Sequence, residues 1–253
     1  MKIIISPAKK MRMEGELLPS AGLPVFLEKT ELLWSWMKNL NLHEAKSLWK
    51  CSDKIARENF ERLLQMDLRK NLTPAILSYE GIQYQYMAPA VLDEKALAYL
   101  QGHLRILSGF YGVLKPFDGV VPYRLEMQAK PEEGTGFPGG EGRDLYDFWG
   151  AGLYEKVMGE DPVVVNLASR EYSRCIEPFL KPGETFLTCI FGERDGDKVK
   201  QKGTLAKMAR GEMVRYMAER QIESPEQLKE FEGLGYRYSE KDSSLKEFTF
   251  IKE

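Results

Sequence analysis

Residues 2–6 read KIIIS, and this short stretch decides how the chain folds. Three consecutive isoleucines are typical of a strand that other elements cover on both faces. The apolar run stops at Ser6, directly before Pro7. A serine can cap a helix and a proline fits the first helical position, so we predict a buried strand over residues 2–5 and a brief helix after it.

Two later stretches repeat this pattern of a buried strand followed by a serine. Residues 104–107 come directly before Ser108, and residues 162–168, PVVVNLA, come directly before Ser169. Helical patterns separate the stretches, which favours parallel strands. The carboxyl ends of parallel strands meet at one edge of a sheet, where open α/β folds bind ligands. We therefore expect Ser6, Ser108 and Ser169 at one edge, although serines at helix starts also have a purely structural role as caps.

Apolar periodicity predicts the other elements of the chain. Helices are expected over residues 26–38, 41–50, 52–66, 93–102, 144–158 and 204–221, with a short helix from Ser169. Two more strands are expected over residues 186–191 and 247–251, and the second should be half exposed because its apolar residues alternate with polar ones. Residues 131–143, PEEGTGFPGGEGR, predict an exposed, mobile loop. No linker divides the chain, so we predict one compact α/β domain over residues 1–253, with helices flanking a mixed sheet.

Composition excludes several classes of protein. Hydrophobic residues make up 43% and charged residues 29% of the chain, as in ordinary globular proteins. No apolar run reaches the length of about 18 residues that a transmembrane helix needs, so we expect a cytoplasmic protein without membrane contact. The cysteines Cys51, Cys175 and Cys189 are odd in number and widely spaced, which argues against a disulfide framework. The two histidines, His43 and His103, are not at metal-ligand spacing, so we expect neither a metal site nor a cofactor.

The net charge of −2 hides an uneven distribution of basic residues. Residues 2–12 contain four basic residues and no acidic residue. Residues 198–215 contain six basic residues and a single acidic residue, Glu212. The two segments form one positive face if the fold brings them together, and otherwise they are ordinary solvated surfaces.

Residues 108–116, SGFYGVLKP, are open to two interpretations. Gly109 and Gly112 allow a turn whose backbone N–H groups face a DNA phosphate, as in a helix-hairpin-helix element, and Lys115 is placed for a second contact. The two glycines are one residue further apart than is usual in such elements. The same pattern also fits a tight turn beside the core, and the sequence alone leaves both interpretations open.

The familiar catalytic motifs are absent from the sequence. It contains no Gly-x-Ser-x-Gly elbow, no Walker-type phosphate loop and no Gly-x-Gly-x-x-Gly after a strand. Glu126 and Glu171 are available as paired carboxylates, although Arg124 close to Glu126 also suggests a simple structural ion pair. The edge of the sheet that holds the serines would also collect Lys9, Asn166, Glu171 and Tyr172. Whether the protein is an enzyme is therefore left open.

Six separate blocks of the sequence resemble the YaaA family of bacterial peroxide-stress proteins. The blocks are ISPAK (5–9), LSGFYGVLKP (107–116), PYRLEM (122–127), DLYDFWG (144–150), NLASREY (166–172) and AKMARG (206–211). They occur in the family's order and extend over nearly the whole chain. The resemblance implies a single α/β fold with a helix-hairpin-helix-like element and a positively charged cleft that binds double-stranded or branched DNA. It also implies a cytoplasmic protein that lowers free iron during hydrogen peroxide stress and limits iron-driven damage to DNA and proteins.

The resemblance also places functional residues on the matching blocks. It implies that Gly109, Tyr111 and Gly112 belong to the hairpin and that Lys9, Lys207 and Arg210 line the cleft. Lys115 is added for its position after the turn and Lys10 for its charge, so we expect these eight residues to contact nucleic acid, mainly at phosphate groups. Eight others are candidates for the cleft: Ser6, Ser108, Arg124, Glu126, Asn166, Ser169, Glu171 and Tyr172. Two departures limit the transfer, because residues 131–143 look longer than the family's usual link and Lys10 stands where a small residue is common.

Two functions of different classes follow from these observations. The first is DNA binding at phosphate groups during peroxide stress, without a visible catalytic role. The alternative is an enzyme that acts on a nucleotide or another phosphorylated small molecule in the same cleft. It would use Lys9 and Arg210 as anion contacts and Glu126 or Glu171 for proton transfer. A broad positive groove favours the first function, and a narrow, deep cleft favours the second. Direct iron sequestration is disfavoured by the small number of histidines and cysteines.

Overall fold

Strands and helices alternate along most of the computed structural model, which describes residues 1–13, 18–196 and 198–252. The strands are β1 (Lys2–Ile5), β2 (Lys10–Met11), β3 (Thr73–Pro74), β4 (Tyr79–Glu80), β5 (Leu104–Ser108), β6 (Gly112–Leu114), β7 (Gly119–Val120), β8 (Val163–Leu167), β9 (Thr185–Asp195), β10 (Lys198–Lys200), β11 (Tyr236–Tyr238) and β12 (Glu247–Lys252). The α-helices are α1 (Leu27–Asn39), α2 (Leu42–Trp49), α3 (Asp53–Gln65), α4 (Ala75–Ser78), α5 (Ile82–Met87), α6 (Glu94–His103), α7 (Leu145–Trp149), α8 (Gly152–Met158), α9 (Arg170–Ser173) and α10 (Gly203–Arg220). Short 3₁₀ helices lie at Pro89–Val91, Glu177–Phe179, Pro225–Glu230, Gly233–Gly235 and Glu240–Asp242.

The central sheet has eight strands in the order β11-β12-β9-β8-β1-β5-β6, with β10 paired to β9. Strands β5, β1, β8, β9 and β12 are parallel to their neighbours in this group, whereas β6, β10 and β11 are antiparallel to their partners. Strand β1 lies inside the sheet, and Ile3, Ile4 and Ile5 are fully buried. The predicted α/β fold with a mixed sheet is therefore confirmed. Among the described residues, no helix combines the length and the apolar composition needed to cross a membrane.

The register of the parallel strands brings their carboxyl ends to one edge of the sheet. Ile5, the last residue of β1, pairs with Ile106 of β5 and with Leu167 of β8. The serines at the ends of these three strands therefore lie along the same edge, as the sequence predicts. This edge is also where ligands bind in open α/β sheets.

The brief helix predicted after β1 does not form. Residues 6–8 are irregular and lead toward β2, which pairs with β4. The backbone carbonyl of Ser6 accepts a hydrogen bond from the hydroxyl of Tyr84 (3.0 Å), and the side chain of Ser6 accepts one from the N–H of Ser169 (2.8 Å). These long-range contacts use the groups that a local helix start would need, which explains why the prediction is wrong.

The segment predicted to form a helix-hairpin-helix-like element is a β-hairpin. Strands β5 and β6 pair in antiparallel fashion, and residues 109–111 connect them. The hydroxyl of Ser108 accepts hydrogen bonds from the N–H groups of Phe110 (3.1 Å) and Tyr111 (2.9 Å), and both aromatic side chains are fully buried. Gly112 has a φ of +74°, which favours glycine in this turn. The helix-hairpin-helix-like element is not confirmed, because strands flank the turn and these N–H groups bond within it.

Two other predictions differ from the structure in detail. The helix predicted over residues 144–158 is divided into α7 and α8, because Gly150 has a φ of +51°. Strand β12 is buried rather than half exposed, because it lies between β11 and β9 inside the sheet. The predicted exposure of residues 131–143 is confirmed, and the segment contacts α1, where the indole N–H of Trp36 donates a hydrogen bond to the carbonyl of Thr135 (3.0 Å).

Helix α10 packs very closely against α5, and this contact places two basic residues near the carboxyl end of β1. A Cβ atom at Gly211 would lie 2.1 Å from the carbonyl oxygen of Gln83, so only glycine allows this approach. Lys207 and Arg210 precede Gly211 with a spacing of i and i+3, which puts both on one side of α10. Both side chains therefore reach the same cleft.

Candidate functional site

A cleft with a volume of about 410 Å³ lies at the carboxyl ends of β1 and β8. Its walls come from residues 6–10 after β1, residues 80–84 at the start of α5, residues 123–126, residues 169–172 and one side of α10. These segments are far apart in the sequence and meet because the parallel strands end at one edge. The cleft brings together ten of the predicted residues: Ser6, Lys9, Lys10, Arg124, Glu126, Ser169, Glu171, Tyr172, Lys207 and Arg210.

Two serines connect the loops that follow β1 and β8. The hydroxyl of Ser6 donates a hydrogen bond to the hydroxyl of Ser169 (3.1 Å) and accepts one from its backbone N–H (2.8 Å). Asn166 supports the same loop from below, because its side-chain oxygen accepts the N–H of Ala168 (2.9 Å). These contacts fix the position of α9 and hence of the side chains that α9 adds to the cleft.

Glu126 is paired with two basic residues of the cleft. Lys9 Nζ lies 2.8 Å from its Oε2 atom, and Arg124 Nη2 lies 3.6 Å from its Oε1 atom. The side chains of Glu126 and Arg124 are only 19% and 12% exposed, whereas that of Lys9 is 65% exposed. Within the described residues, the Nε of Arg124 and the Oε1 of Glu126 are buried without a hydrogen-bond partner. Buried polar atoms of this kind are costly, so they indicate that this part of the cleft is built to hold a polar group.

Lys207 and Arg210 carry no ion pair with any residue that the structure describes. The Nε of Arg210 is buried without a hydrogen-bond partner in the same part of the chain, and burial lowers the pKa of its guanidinium group. The ionisable group that acts on Arg210 is the thiol of Cys189, and burial raises the pKa of this thiol to about 12. The thiol is therefore neutral, and Arg210 has no anionic partner in the part of the chain that the structure describes. A partly buried guanidinium group without a counter-ion there is suited to binding an anion.

Glu171 and Tyr172 lie on α9 and face the cleft. Burial raises the pKa of Glu171, and the charge of Glu126 raises it further. The N–H of Gln128 (3.2 Å from Oε1) and the charge of Lys9 oppose this shift but do not cancel it. Burial also raises the pKa of the Tyr172 hydroxyl well above its ordinary value. The cleft therefore contains a carboxyl group that retains its proton more readily than a free glutamate.

Six predicted residues lie outside the cleft: Ser108, Gly109, Tyr111, Gly112, Lys115 and Asn166. Ser108 is fully buried, and its hydroxyl forms a hydrogen bond with the hydroxyl of Tyr123 (2.6 Å). Gly109 allows a close approach, because a Cβ atom there would lie 2.7 Å from the carbonyl oxygen of Leu125. Lys115 follows β6, which runs antiparallel to β5, so it lies toward the opposite edge of the sheet. The hairpin thus shapes the wall of the cleft from behind, and its glycines do not line it.

The cleft also contains four polar residues that the sequence patterns do not single out: Glu80, Gln83, Tyr84 and Tyr123. Glu80 pairs with Lys10 at 2.8 Å. The hydroxyl of Tyr123 forms hydrogen bonds with those of Tyr79 (2.9 Å) and Ser108 (2.6 Å). Gly81 is the sequence feature that could have indicated this part of the cleft. A residue with a Cβ atom at this position would lie 2.9 Å from the Cβ atom of Ala8 and would push α5 away from the loop after β1.

The side chains that line the cleft have a net positive charge. Five are basic (Lys9, Lys10, Arg124, Lys207 and Arg210) and three are acidic (Glu80, Glu126 and Glu171). The two basic segments of the sequence therefore converge at one place. Anion binding and proton transfer through Glu171 are the chemistry that these groups can perform. Within residues 1–13, 18–196 and 198–252, no group of three or more His, Cys, Asp and Glu residues is placed to hold a metal ion.

Comparison with known proteins confirms the family resemblance. The family described as "Peroxide stress protein YaaA" matches residues 1–242. A protein named "UPF0246 protein" from Lachnoclostridium phytofermentans is 53% identical over 252 residues, which cover 100% of this chain and 96% of that protein. Proteins with the same name from Agathobacter rectalis and Pediococcus pentosaceus are 52% identical, again over 100% of this chain and over 99% and 98% of their own lengths. The chain therefore belongs to the YaaA family of peroxide stress proteins.

Proposed function

We propose that this protein is a cytoplasmic peroxide-stress protein that binds double-stranded or branched DNA across the opening of the cleft, mainly through phosphate groups. The observation that carries the proposal is the convergence of Lys9 and Lys10 with Lys207 and Arg210 at one cleft. These residues come from opposite ends of the chain, and the fold concentrates their positive charge. A concentrated positive surface attracts nucleic acid through its phosphate backbone.

The exposed lysines are well suited to phosphate contacts. The side chains of Lys9 and Lys10 are 65% and 77% exposed, and Lys207 is exposed as well. The ion pair of Lys10 with Glu80 is more exposed than that of Lys9 with Glu126 and is worth little in water, so a phosphate group can replace Glu80 as the partner of Lys10 at small cost. Phosphate contacts carry no information about the bases, and we expect binding without sequence preference.

The size of the cleft determines how DNA lies on it. A cavity of about 410 Å³ has the dimensions of a small-molecule site and does not admit a duplex. The duplex therefore lies across the opening, where the exposed lysines contact its phosphate groups. The partly buried residues Arg124 and Arg210 contribute mainly long-range positive charge in this arrangement.

DNA binding offers a physical route to protection from iron-driven damage. Lysines that neutralise phosphate groups release the cations condensed on DNA, and iron(II) held on the backbone would be released with them. Hydrogen peroxide then reacts with iron away from the DNA. The direct test is the yield of strand breaks in plasmid DNA treated with iron(II) and hydrogen peroxide, which should fall with the wild-type protein and fall less with Lys207→Ala. Metal analysis of protein purified without chelator separates this route from direct iron binding.

DNA affinity measured over a range of sodium chloride concentrations tests the central claim. We expect log K to fall linearly with log salt, with a slope of about −0.9 for each phosphate neutralised. Lys10→Ala and Lys207→Ala should each weaken binding and make the slope shallower by about 1. Lys115→Ala is the matched control, because Lys115 is exposed but lies toward the opposite edge of the sheet. Binding that is indifferent to salt, or equal effects of Lys115→Ala and Lys207→Ala, would contradict the proposal.

A second candidate function is an enzyme that acts on a nucleotide or another phosphorylated small molecule. The observation that favours it is the cleft itself, whose volume suits a small ligand and whose walls include buried basic and acidic groups. Arg210 provides an anion contact and Glu171 a group for proton transfer. Incubation of the purified protein with a panel of nucleotides, followed by chromatography of the products, tests this candidate.

A further inference from the structure

The two carboxylates on opposite walls of the cleft have different surroundings. Glu126 is in contact with two basic side chains, Lys9 at 2.8 Å and Arg124 at 3.6 Å. Glu171 has no basic group within ion-pair distance among the residues that the structure describes, and its Oε1 atom accepts the backbone N–H of Gln128. Glu126 is thus held by charged side chains, whereas Glu171 is held by a hydrogen bond from an uncharged backbone N–H group.

Burial, and after it the charge of Glu126, raise the pKa of Glu171 above that of a free glutamate, although other groups that face it act in the opposite direction. From the loop after β1 it faces Lys9, and from the segment after β7 it faces Glu126. The other titratable groups around it are the hydroxyls of Tyr146 and Tyr172 and the thiol of Cys175, all of which are uncharged. Burial raises the pKa of Tyr146 to about 12 and that of Cys175 to about 12, so these groups add no charge at neutral pH. The Lys9 ammonium group is paired with Glu126, and its charge lowers the pKa of Glu171 without cancelling the effect of burial.

We propose that the interior of the cleft binds a phosphorylated small molecule of nucleotide size, with its phosphate group on Arg210 and with the carboxyl group of Glu171, on the same cleft, donating a hydrogen bond to the ligand. The inference rests on the second candidate function and not on DNA binding, which uses the exposed lysines. A volume of about 410 Å³ lies within the range of about 300–1,000 Å³ that small-molecule sites occupy. The proposal therefore gives the inner site a defined ligand class.

The ligand class follows from the groups on the walls. Arg210 lines the cleft and has no acidic partner among the described residues, and a phosphate oxygen is the acceptor that guanidinium groups match best. A neutral carboxyl group donates a hydrogen bond, so the ligand must also carry an acceptor such as a ring nitrogen or a carbonyl oxygen. A nucleoside monophosphate combines both features in one molecule.

Calorimetric titration with adenosine 5′-monophosphate, adenosine and inorganic phosphate measures the contribution of each part of the ligand. The monophosphate should bind more tightly than adenosine or phosphate alone. Arg210→Gln should weaken monophosphate binding by about tenfold or more and leave the weak binding of adenosine unchanged, because only the phosphate contact is lost. Lys115→Ala, distant from the cleft, should bind like the wild type. Thermal unfolding of each variant verifies that it is folded.

Glu171→Gln and Glu171→Ala separate hydrogen-bond donation from a structural role. A glutamine amide is always neutral and can donate, so Glu171→Gln should bind the monophosphate about as well as the wild type at low pH. The ratio of wild-type to Glu171→Gln affinity should fall as the pH rises through the pKa of Glu171, which lies above its ordinary value of 4.5. Use of the ratio cancels ionisation of the phosphate group itself. Glu171→Ala should bind weakly at every pH.

The possible outcomes distinguish this inference from the functions proposed above. If Glu171→Gln binds as weakly as Glu171→Ala, or if the affinity ratio does not change with pH, the inference is wrong although the small-molecule site stands. If the wild-type protein binds neither the monophosphate nor phosphate at millimolar concentration, the second candidate function fails together with the inference. If DNA binding fails while the monophosphate binds as described, the inference stands and only the first proposal is lost.

Discussion

The hydroxyl group of Ser6 accepts a hydrogen bond from the backbone N–H of Ser169 at 2.8 Å, and this bond joins the ends of two neighbouring parallel strands. We expect Ser6→Ala to lower the free energy of unfolding by about 1–2 kcal/mol, because the part-buried N–H of Ser169 loses its acceptor. Ser169→Ala removes only a hydroxyl acceptor and keeps that N–H bond, so its effect should be smaller. Urea unfolding of both variants measures the difference. If both variants lose the same stability, the hydrogen bond from the N–H of Ser169 contributes no more than the bond between the two hydroxyls.

A second prediction concerns Gly109, which lies behind the wall of the cleft. A Cβ atom at this position would lie 2.7 Å from the carbonyl oxygen of Leu125 and 2.9 Å from the carbonyl carbon of Glu126. Gly109→Ala should therefore push the segment that carries Arg124 and Glu126, with a loss of about 2–3 kcal/mol in stability and weaker ligand binding. Thermal unfolding and the binding titrations measure both effects.

Gly102→Ala is the matched control for this prediction. Gly102 lies in α6, and a Cβ atom there would have no neighbour within 4 Å. Alanine is a better helix former than glycine, so this variant should be unchanged or more stable by up to about 1 kcal/mol. If Gly109→Ala is as stable as Gly102→Ala and binds ligand equally well, the segment that carries Arg124 and Glu126 accommodates the added methyl group despite the close contact.

The sequence predicts the parallel strands and the edge where they end, because these features depend on local patterns. The isoleucine run of β1 and the valine run of β8 each indicate a buried strand without reference to the rest of the chain. Each strand is followed by its own serine, so Ser6 and Ser169 can be placed at the edge before the order of the strands is known. The pairing of the two serines depends on the register and on β1 and β8 being neighbours, which no local pattern contains.

Other parts of the site could not be predicted because they depend on contacts between distant segments. Gly109 looks like a turn glycine, yet its main constraint is the carbonyl oxygen of Leu125, which leaves no room for a Cβ atom. Gly211 lies in the middle of α10, where glycine is unfavourable for a helix. Its presence is explained by the carbonyl oxygen of Gln83 on α5, which leaves no room for a Cβ atom. Residues 79–87 combine a two-residue strand with a short helix, and neither is long enough to show a period. No pattern in the sequence therefore places Tyr84 in the cleft.

A third prediction is that Arg210, which is placed for anion binding, lowers the free energy of unfolding of the ligand-free protein. Its guanidinium Nε is buried and has no hydrogen-bond partner within the described residues, and burial disfavours its charged form. Arg210→Met keeps a long apolar side chain and removes the buried charge, so the free energy of unfolding should rise by about 1–2 kcal/mol. The same variant should lose affinity for adenosine 5′-monophosphate.

The control for this variant is Lys207→Met on the same side of α10. Lys207 is exposed, so its replacement should change stability by no more than about 0.5 kcal/mol. Chemical unfolding of both variants at pH 7 gives the comparison. A loss of stability in Arg210→Met would show that the guanidinium group is well satisfied in the free protein and would weaken the case for an anion site.

The last prediction concerns the acid stability of the fold and involves Glu160, which lies at the edge of the sheet opposite the cleft. Its carboxylate accepts a hydrogen bond from Nε of Arg105 on β5 (3.0 Å), whose side chain is only 3% exposed. Burial alone would raise the pKa of Glu160, but the hydrogen bonds and charges of Arg105 and Lys156 outweigh it and lower the pKa to about 2.

The direction of the pH effect follows from this lowered pKa. The folded state binds the proton of Glu160 less readily than the unfolded state, whose value is near the ordinary 4.5. The contribution of Glu160 to stability is therefore fully present above about pH 5 and is lost as the pH falls from there toward 2.

At pH 7, Glu160→Gln should lower the free energy of unfolding by about 3 kcal/mol, because the buried Arg105 loses its counter-ion. The difference from the wild type should shrink steadily below pH 5. Denaturant titrations at several pH values measure it, with the exposed Glu61 on α3 replaced by glutamine as control. A difference that stays constant from pH 7 to pH 3 would show that the contact between Glu160 and Arg105 does not depend on charge.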